Sequence, residues 1–155
     1  MIVQLPKTNS RSAAARRLRS DHNDFDRRFD EVCERARVGD WRDLDAVWRA
    51  FADDLEAHLA FEEEVLFPAY SHGSRERREL VRRLVGEHAA IRQLLEHIGV
   101  DIQLHTIRAT TIEVFIDLMR EHAAIENTEL YPWLDLEGRA LSMTKDPPHT
   151  RDRLS

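Results

Sequence analysis

Two segments of this chain set an imidazole and a carboxylate at a spacing suited to holding a cation: His58-Leu-Ala-Phe-Glu62 and His122-Ala-Ala-Ile-Glu126. Each leads into an apolar pair and a proline, Leu66-Phe67-Pro68 in the first and Leu130-Tyr131-Pro132 in the second. The two coincide on an offset of 122 − 58 = 64 residues. Residues four apart on a helix share a face, with Cβ atoms roughly 6 Å apart. Two more histidines, His22 and His88, lie on apolar stripes of their own and are related by 88 − 22 = 66. The candidate metal ligands are therefore His22, His58, Glu62, His88, His122 and Glu126.

The chemistry follows from what burial does to such groups. A buried carboxylate without a partner is costly. Two at one depth repel, and one would have to keep a proton. A cation removes both difficulties, and imidazole with carboxylate suits first-row metals such as iron, manganese or zinc. The count favours two ions. His22 with His58 would serve one and His88 with His122 the other, with Glu62 and Glu126 bridging and positions left open on each. A single octahedral ion would need all six groups to converge, which is harder for helices about 8–10 Å apart. His72, His105 and His149 fall in turns or the tail, and His97 lies about 180° around the helix from His88. Glu63, Glu64 and Glu129 are expected to be solvated or to support the ligands.

Four helices must position this set. The first spans about 12–38, with Leu18, His22, Phe25, Phe29, Val32 and Ala36 on one stripe; Gly39-Asp40 is a stop and the next cap. The second spans about 41–69, with Leu44, Val47, Phe51, Leu55, His58, Glu62 and Val65 inward and Pro68 ending it. The third spans about 75–98, with Val81, Leu84, His88, Ile91, Leu95 and Ile98, and Gly99 as its stop. Residues 99–105 alternate like a short strand but lack a partner, so a connection is expected. The fourth spans about 106–133, with Ile112, Phe115, Met119, His122, Glu126 and Leu130. The matching offsets make the chain two copies of a helical hairpin related by a pseudo-twofold axis. The expected fold is all-α, an antiparallel up-down-up-down four-helix bundle over 12–134. An irregular lead covers 1–11, and a flexible polar tail containing Pro147-Pro148 covers 135–155.

Composition agrees and excludes other classes. The chain has 155 residues, 42% hydrophobic and 34% charged, enough for one domain with a real core. Only 5 Gly and 5 Pro favour long helices over many short strands. A net charge of −6 argues against nucleic acid as the main partner. The single cysteine, Cys33, excludes an intrachain disulfide. No apolar run nears the roughly 20 residues that span a bilayer. The basic start, with Lys7, Arg11, Arg16, Arg17 and Arg19, lacks the apolar core of a secretory signal, so a cytoplasmic location is the default.

A His on the first helix, His58-xxx-Glu62, a His on the third and His122-xxx-Glu126 resemble the hemerythrin-like, HHE cation-binding family over about 15–134. The resemblance implies a non-haem pair of iron ions, oxo- or hydroxo-bridged, that binds or reacts with dioxygen, peroxide or nitric oxide. It leaves two functions open: a stress-response protein with catalase- or peroxidase-like turnover, or non-catalytic oxygen storage or iron buffering and sensing. A metal-free structural bundle is the bland alternative. A ferritin-like oxidase fits less well, since its pairs run Glu-x-x-His. The chain departs from oxygen carriers of the family in two places. Arg92 stands where they have a second His after the third-helix His, and Glu126 replaces their His-x4-Asp pattern. Asp26 is the pseudo-twofold equivalent of Arg92, since 92 − 26 = 66. An Asp26–Arg92 charge pair beside the metals is expected, with Asp26 as an additional ligand the rival. Tyr131, with Tyr70 and Trp133, is a candidate supporting or redox-active side chain.

Overall fold

The computed structural model of the protein describes residues 12–137. Helix α1, Ala13–Val38, starts at Ser12, whose hydroxyl accepts from the Ala15 amide. It stops at Gly39, where φ of +77° suits a residue without a Cβ. The Gly39 and Asp40 amides then satisfy the carbonyls of Ala36 and Arg35. Asp40 stands before α2, Trp41–Phe61, but its side chain does not cap that helix. Its carboxylate accepts from Arg35 Nη1 at 3.0 Å instead.

The expected stop at Pro68 is corrected by the structure. α2 passes without a break into a π-helical turn, Glu62–Leu66, and then α3, Phe67–Ser71. The Phe67 amide reaches five residues back to the Glu62 carbonyl. The extra residue sets Pro68 in the first turn of α3, where its missing N–H has no partner to lose. The same device recurs in the last rod: α5, Ala109–Ile125, a π-turn at Glu126–Leu130, and α6, Tyr131–Glu137. There the Tyr131 amide reaches the Glu126 carbonyl. Each π-turn delays the inward stripe by one residue. Leu66 is therefore buried where Val65 was expected, and Phe67, Tyr70, Tyr131 and Leu134 follow it inward.

Gly99 is not a stop either. α4, Arg75–Gln103, begins at Ser74, whose hydroxyl accepts from the Arg77 amide, and runs through Gly99. A Cβ at Gly99 would lie 3.1 Å from Trp48 Nε1, so the glycine makes room for a neighbouring indole. One glycine costs a helix about 1 kcal/mol, too little to break it while Ile98 and Ile102 are buried on either side. The apparent strand alternation of 99–105 is mostly the end of this helix.

Close packing runs from α1 to α2, α2 to α4 and α4 to α5, and α6 returns to α1. Asp135 fastens that return by accepting from the Ser12 amide at 3.0 Å and from Arg19 Nη2 at 2.8 Å. The boundary expected before residue 135 thus falls inside α6. Residues 1–11 and 138–155, with the expected lead and most of the expected tail, lie outside the described residues. Two apolar clusters form the core. One holds Phe25, Phe29, Trp48, Phe51, Ile91 and Phe115; the other holds Leu18, Leu66, Phe67, Leu84, Leu130 and Tyr131. Among the described residues there is no strand, and no helix is long and apolar enough to cross a membrane.

Candidate metal centre

All six expected ligands converge between the two apolar clusters. His58, Glu62, His88, His122 and Glu126 are buried, and the His22 side chain is 10% exposed. The carboxylates organise the geometry. Glu62 presents Oε1 to His58 Nε2 at 3.1 Å and Oε2 to His88 Nε2 at 3.3 Å. Glu126 presents Oε2 to His22 Nε2 at 3.0 Å and Oε1 to His122 Nε2 at 2.7 Å. Each carboxylate therefore spans two histidines on different helices. His22, His58, Glu62 and Glu126 each place one donor atom within 4.8 Å of the others, and so do Glu62, His88, His122 and Glu126.

The donor set fits a cation. Despite these short contacts, His58 Nε2, Glu62 Oε2 and Glu126 Oε1 are buried and make no hydrogen bond of good geometry among the described residues. Such orphans are costly unless something binds them. His88 Nε2 and His122 Nε2 lie 3.0 Å apart. Two imidazole nitrogens at that distance could both serve one cation.

Three histidines are held from behind by carboxylates. His88 Nδ1 meets Glu63 Oε1 at 2.8 Å, His122 Nδ1 meets Glu87 Oε2 at 2.8 Å, and His58 Nδ1 meets Asp21 Oδ2 at 3.3 Å. A proton held on Nδ1 leaves the Nε2 lone pair free for a metal and makes the imidazole a stronger donor. Asp21 and Glu87 are the functional residues missed in the sequence. Their signal was there: an acid immediately precedes His22 and His88, at the same offset of 87 − 21 = 66. Each acid serves the histidine of the next helix rather than its own neighbour, which chain order does not reveal. Replacing Glu87 with Gln is expected to weaken metal binding about 10–100-fold while the helix content stays constant. Competition with a chelator of known affinity measures it, and an unchanged affinity would remove Glu87 from this role.

Tyr131 enters the centre itself. Its hydroxyl lies 2.8 Å from Glu62 Oε1, 3.0 Å from Glu126 Oε2 and 3.0 Å from His22 Nε2. Burial, Glu126 and Glu62 all push its pKa well above the ordinary phenol value. The pseudo-twofold equivalent is Phe67, whose ring lies 5.2 Å from that of His88. The two halves of the centre thus differ by one central oxygen. Tyr70 and Trp133 pack edge to face at 5.2 Å within the apolar cluster that contains Tyr131.

The Asp26–Arg92 pair does not form. Arg92 is taken by Glu56, with contacts of 2.8–3.0 Å, and by Glu63 at 2.8 Å. Asp26 is exposed and belongs to neither ligand group. The reason is the pseudo-symmetry itself: a twofold axis carries a residue to the opposite seam of the bundle, so equivalents end up apart. Of the histidines set aside, His72, His97 and His105 are exposed, and His149 lies outside the described residues. His105 stacks on Trp41 at 4.9 Å.

The family model for the hemerythrin HHE cation-binding domain matches residues 13–134. No curated protein and no solved structure matches the chain.

Proposed function

The chain belongs to the hemerythrin HHE cation-binding domain family, and from that premise we propose that its centre holds two metal ions. His22 and His58 serve one, and His88 and His122 serve the other. The observation that carries this is the span of the carboxylates: Glu62 and Glu126 each turn one oxygen toward each histidine pair. Short connections at 39–40, 72–74 and 104–108 between successive rods support an up-down-up-down antiparallel bundle as the frame. Family resemblance favours iron over zinc or manganese, since the ligand types accept all three.

Iron bound here would supply one-electron chemistry and open positions for peroxide, dioxygen or nitric oxide. The chain's own residues set the conditions. Asp21, Glu63 and Glu87 fix the imidazole tautomers and orientations. The Tyr131 hydroxyl can donate a hydrogen bond at the midpoint of the site. The two apolar clusters keep bulk water from either end. Reaction with peroxide in oxidative or nitrosative stress is the reading we favour, with storage or sensing as the alternative.

Aerobic purification should yield two irons per chain and charge-transfer absorption in the near-ultraviolet and visible. Peroxide then separates the readings: sustained oxygen release marks disproportionation, and a stable spectral shift marks a binder. Iron-free protein with no affinity for added iron would sink the proposal.

A further inference from the structure

The two seams beside the centre differ sharply, although the repeat makes them equivalent. On the α2–α4 side, Arg92 ties Glu56 to Glu63, and Glu63 holds His88. That lattice closes the surface over the histidine. The equivalent positions on the α1–α5 side are Asp26 for Arg92, Arg120 for Glu56 (120 − 56 = 64) and Asn127 for Glu63 (127 − 63 = 64). The charges of the first two are exchanged, and the third is neutral. No closing lattice forms there among the described residues. Asp26, Arg120 and Asn127 instead line a cavity of about 230 Å³ whose inner wall is His22, His58 and His122.

Three observations bear on what this cavity does. α1 and α5 are not among the closely packed helix pairs. His22 Nδ1 is buried without a hydrogen-bond partner among the described residues, the one centre histidine lacking a carboxylate behind it. A second cavity of about 180 Å³ continues along the same seam, sharing Asp26, Met119 and Arg120 and reaching Phe29 and Phe115. Resting on the metal-centre reading above, we infer that the α1–α5 seam is the route by which small molecules reach the centre, with Asp26 and Arg120 flanking its mouth.

The chemistry of the mouth indicates the class of ligand. Asp26 and Arg120 oppose one another at the opening, and the exposed Asp30 further along the seam adds a negative charge, so the mouth gives anions no net attraction. The side walls, Leu55, Leu59, Met119 and Ala123, are apolar. The volume would hold roughly seven waters at about 30 Å³ each. A small uncharged molecule, polar at one end, fits such a chamber; hydrogen peroxide and short alkyl hydroperoxides, neutral at pH 7, are of this class. Anions gain nothing from the mouth while both residues are present.

Azide binding to the iron-loaded protein tests this in stopped flow at low salt, with iron content measured for every variant. Asp26→Asn should raise the azide association rate and Arg120→Gln should lower it. The two variants should differ about tenfold or more, and the gap should close in high salt as the charges are screened. Ala123→Phe, which fills the chamber, should slow azide about tenfold or more at unchanged iron content. Glu96→Gln, at an exposed charge on α4 that lines neither cavity, should leave the rate within twofold of the parent. Equal rates in the parent and all the seam variants would overturn the inference, and so would a Glu96→Gln effect as large as theirs. An iron-loaded parent that binds neither azide nor peroxide would instead overturn the functional reading, and this inference with it. Both charged residues are exposed, so their variants stay informative even if Ala123→Phe fails to fold.

Discussion

Replacing Glu62 with Gln is expected to empty both metal positions, not one. The prediction follows from the reach of a single side chain. Glu62 sits 3.1 Å from His58 and 3.3 Å from His88, which belong to different halves of the centre. Glutamine keeps the shape but removes the negative charge that both halves share. Losing carboxylates that merely support the histidines costs about 10–100-fold in affinity. If the centre holds two irons as proposed, losing a group placed to donate to both should cost more, taking the iron content from two equivalents to well under one. Glu126→Gln should behave the same way, since Glu126 spans His22 and His122. By contrast, His22→Ala should spare the His88–His122 position. Metal analysis after gel filtration decides the matter. A Glu62→Gln protein that keeps one tightly held ion would show that this carboxylate serves only one half.

Removing the metal should reverse the direction in which pH acts on stability. In the metal-free chain, burial opposes a charge on His58, but Glu62, Asp21 and Glu126 outweigh it and raise its pKa to about 10. His88 rises to about 9 because Glu126, Glu62 and Glu63 likewise overcome burial. Burial pushes both carboxylates up, and Glu126 adds to this for Glu62, yet the surrounding histidines hold Glu62 low and Glu126 well below the usual range. A folded pKa above the unfolded one, about 6.5 for histidine, gives stability that is complete below 6.5 and lost as pH rises through the folded value. The metal-free protein should therefore weaken steadily from about pH 6.5 toward pH 9–10.

The lowered carboxylates act in the opposite sense. Their contribution is present above the unfolded value, about 4.3, and is lost as pH falls through the folded ones. The metal-loaded protein should behave differently from the metal-free one above pH 6.5. Its ligands bind only as neutral imidazole and carboxylate, so protons compete with metal and acid, not base, destabilises it. At free metal about a thousandfold above Kd, each ion adds about 4 kcal/mol, about 8 for the two. At about 2–4 °C per kcal/mol for a chain of this size, chelation should lower the melting temperature by about 20 °C near neutral pH. Melting curves with and without chelator from pH 5 to 10 test both claims. Parallel curves would show that the six side chains do not hold the metal.

Much of this was legible in chain order because it rests on local periodicity. Ligand spacing, helix stripes and the internal repeat depend on residues within a few turns of one another, and helical geometry converts such spacing directly into a shared face. That is why the six inward polar residues could be named together. Where the structure departs from chain order, the cause is shared. Pro68 and Gly99 each oppose a helix locally, but neither does so strongly enough against tertiary burial. A π-turn absorbs the first, and the Trp48 indole fills the space above the second. Buried neighbours on both sides carry each rod through.

Pairing between helices depends on rotation and depth that no single helix specifies. Asp21 serving His58, Glu87 serving His122, Arg92 bound to Glu56 and the Tyr131 hydroxyl between two carboxylates are all of this kind. Spacing along one helix names its inward residues, and so the six candidate ligands could be read together from order alone. Which side chain meets which across a seam is set when four rods settle against each other. The same twofold that made the repeat readable also parted Asp26 from Arg92, leaving one flank sealed and the other open.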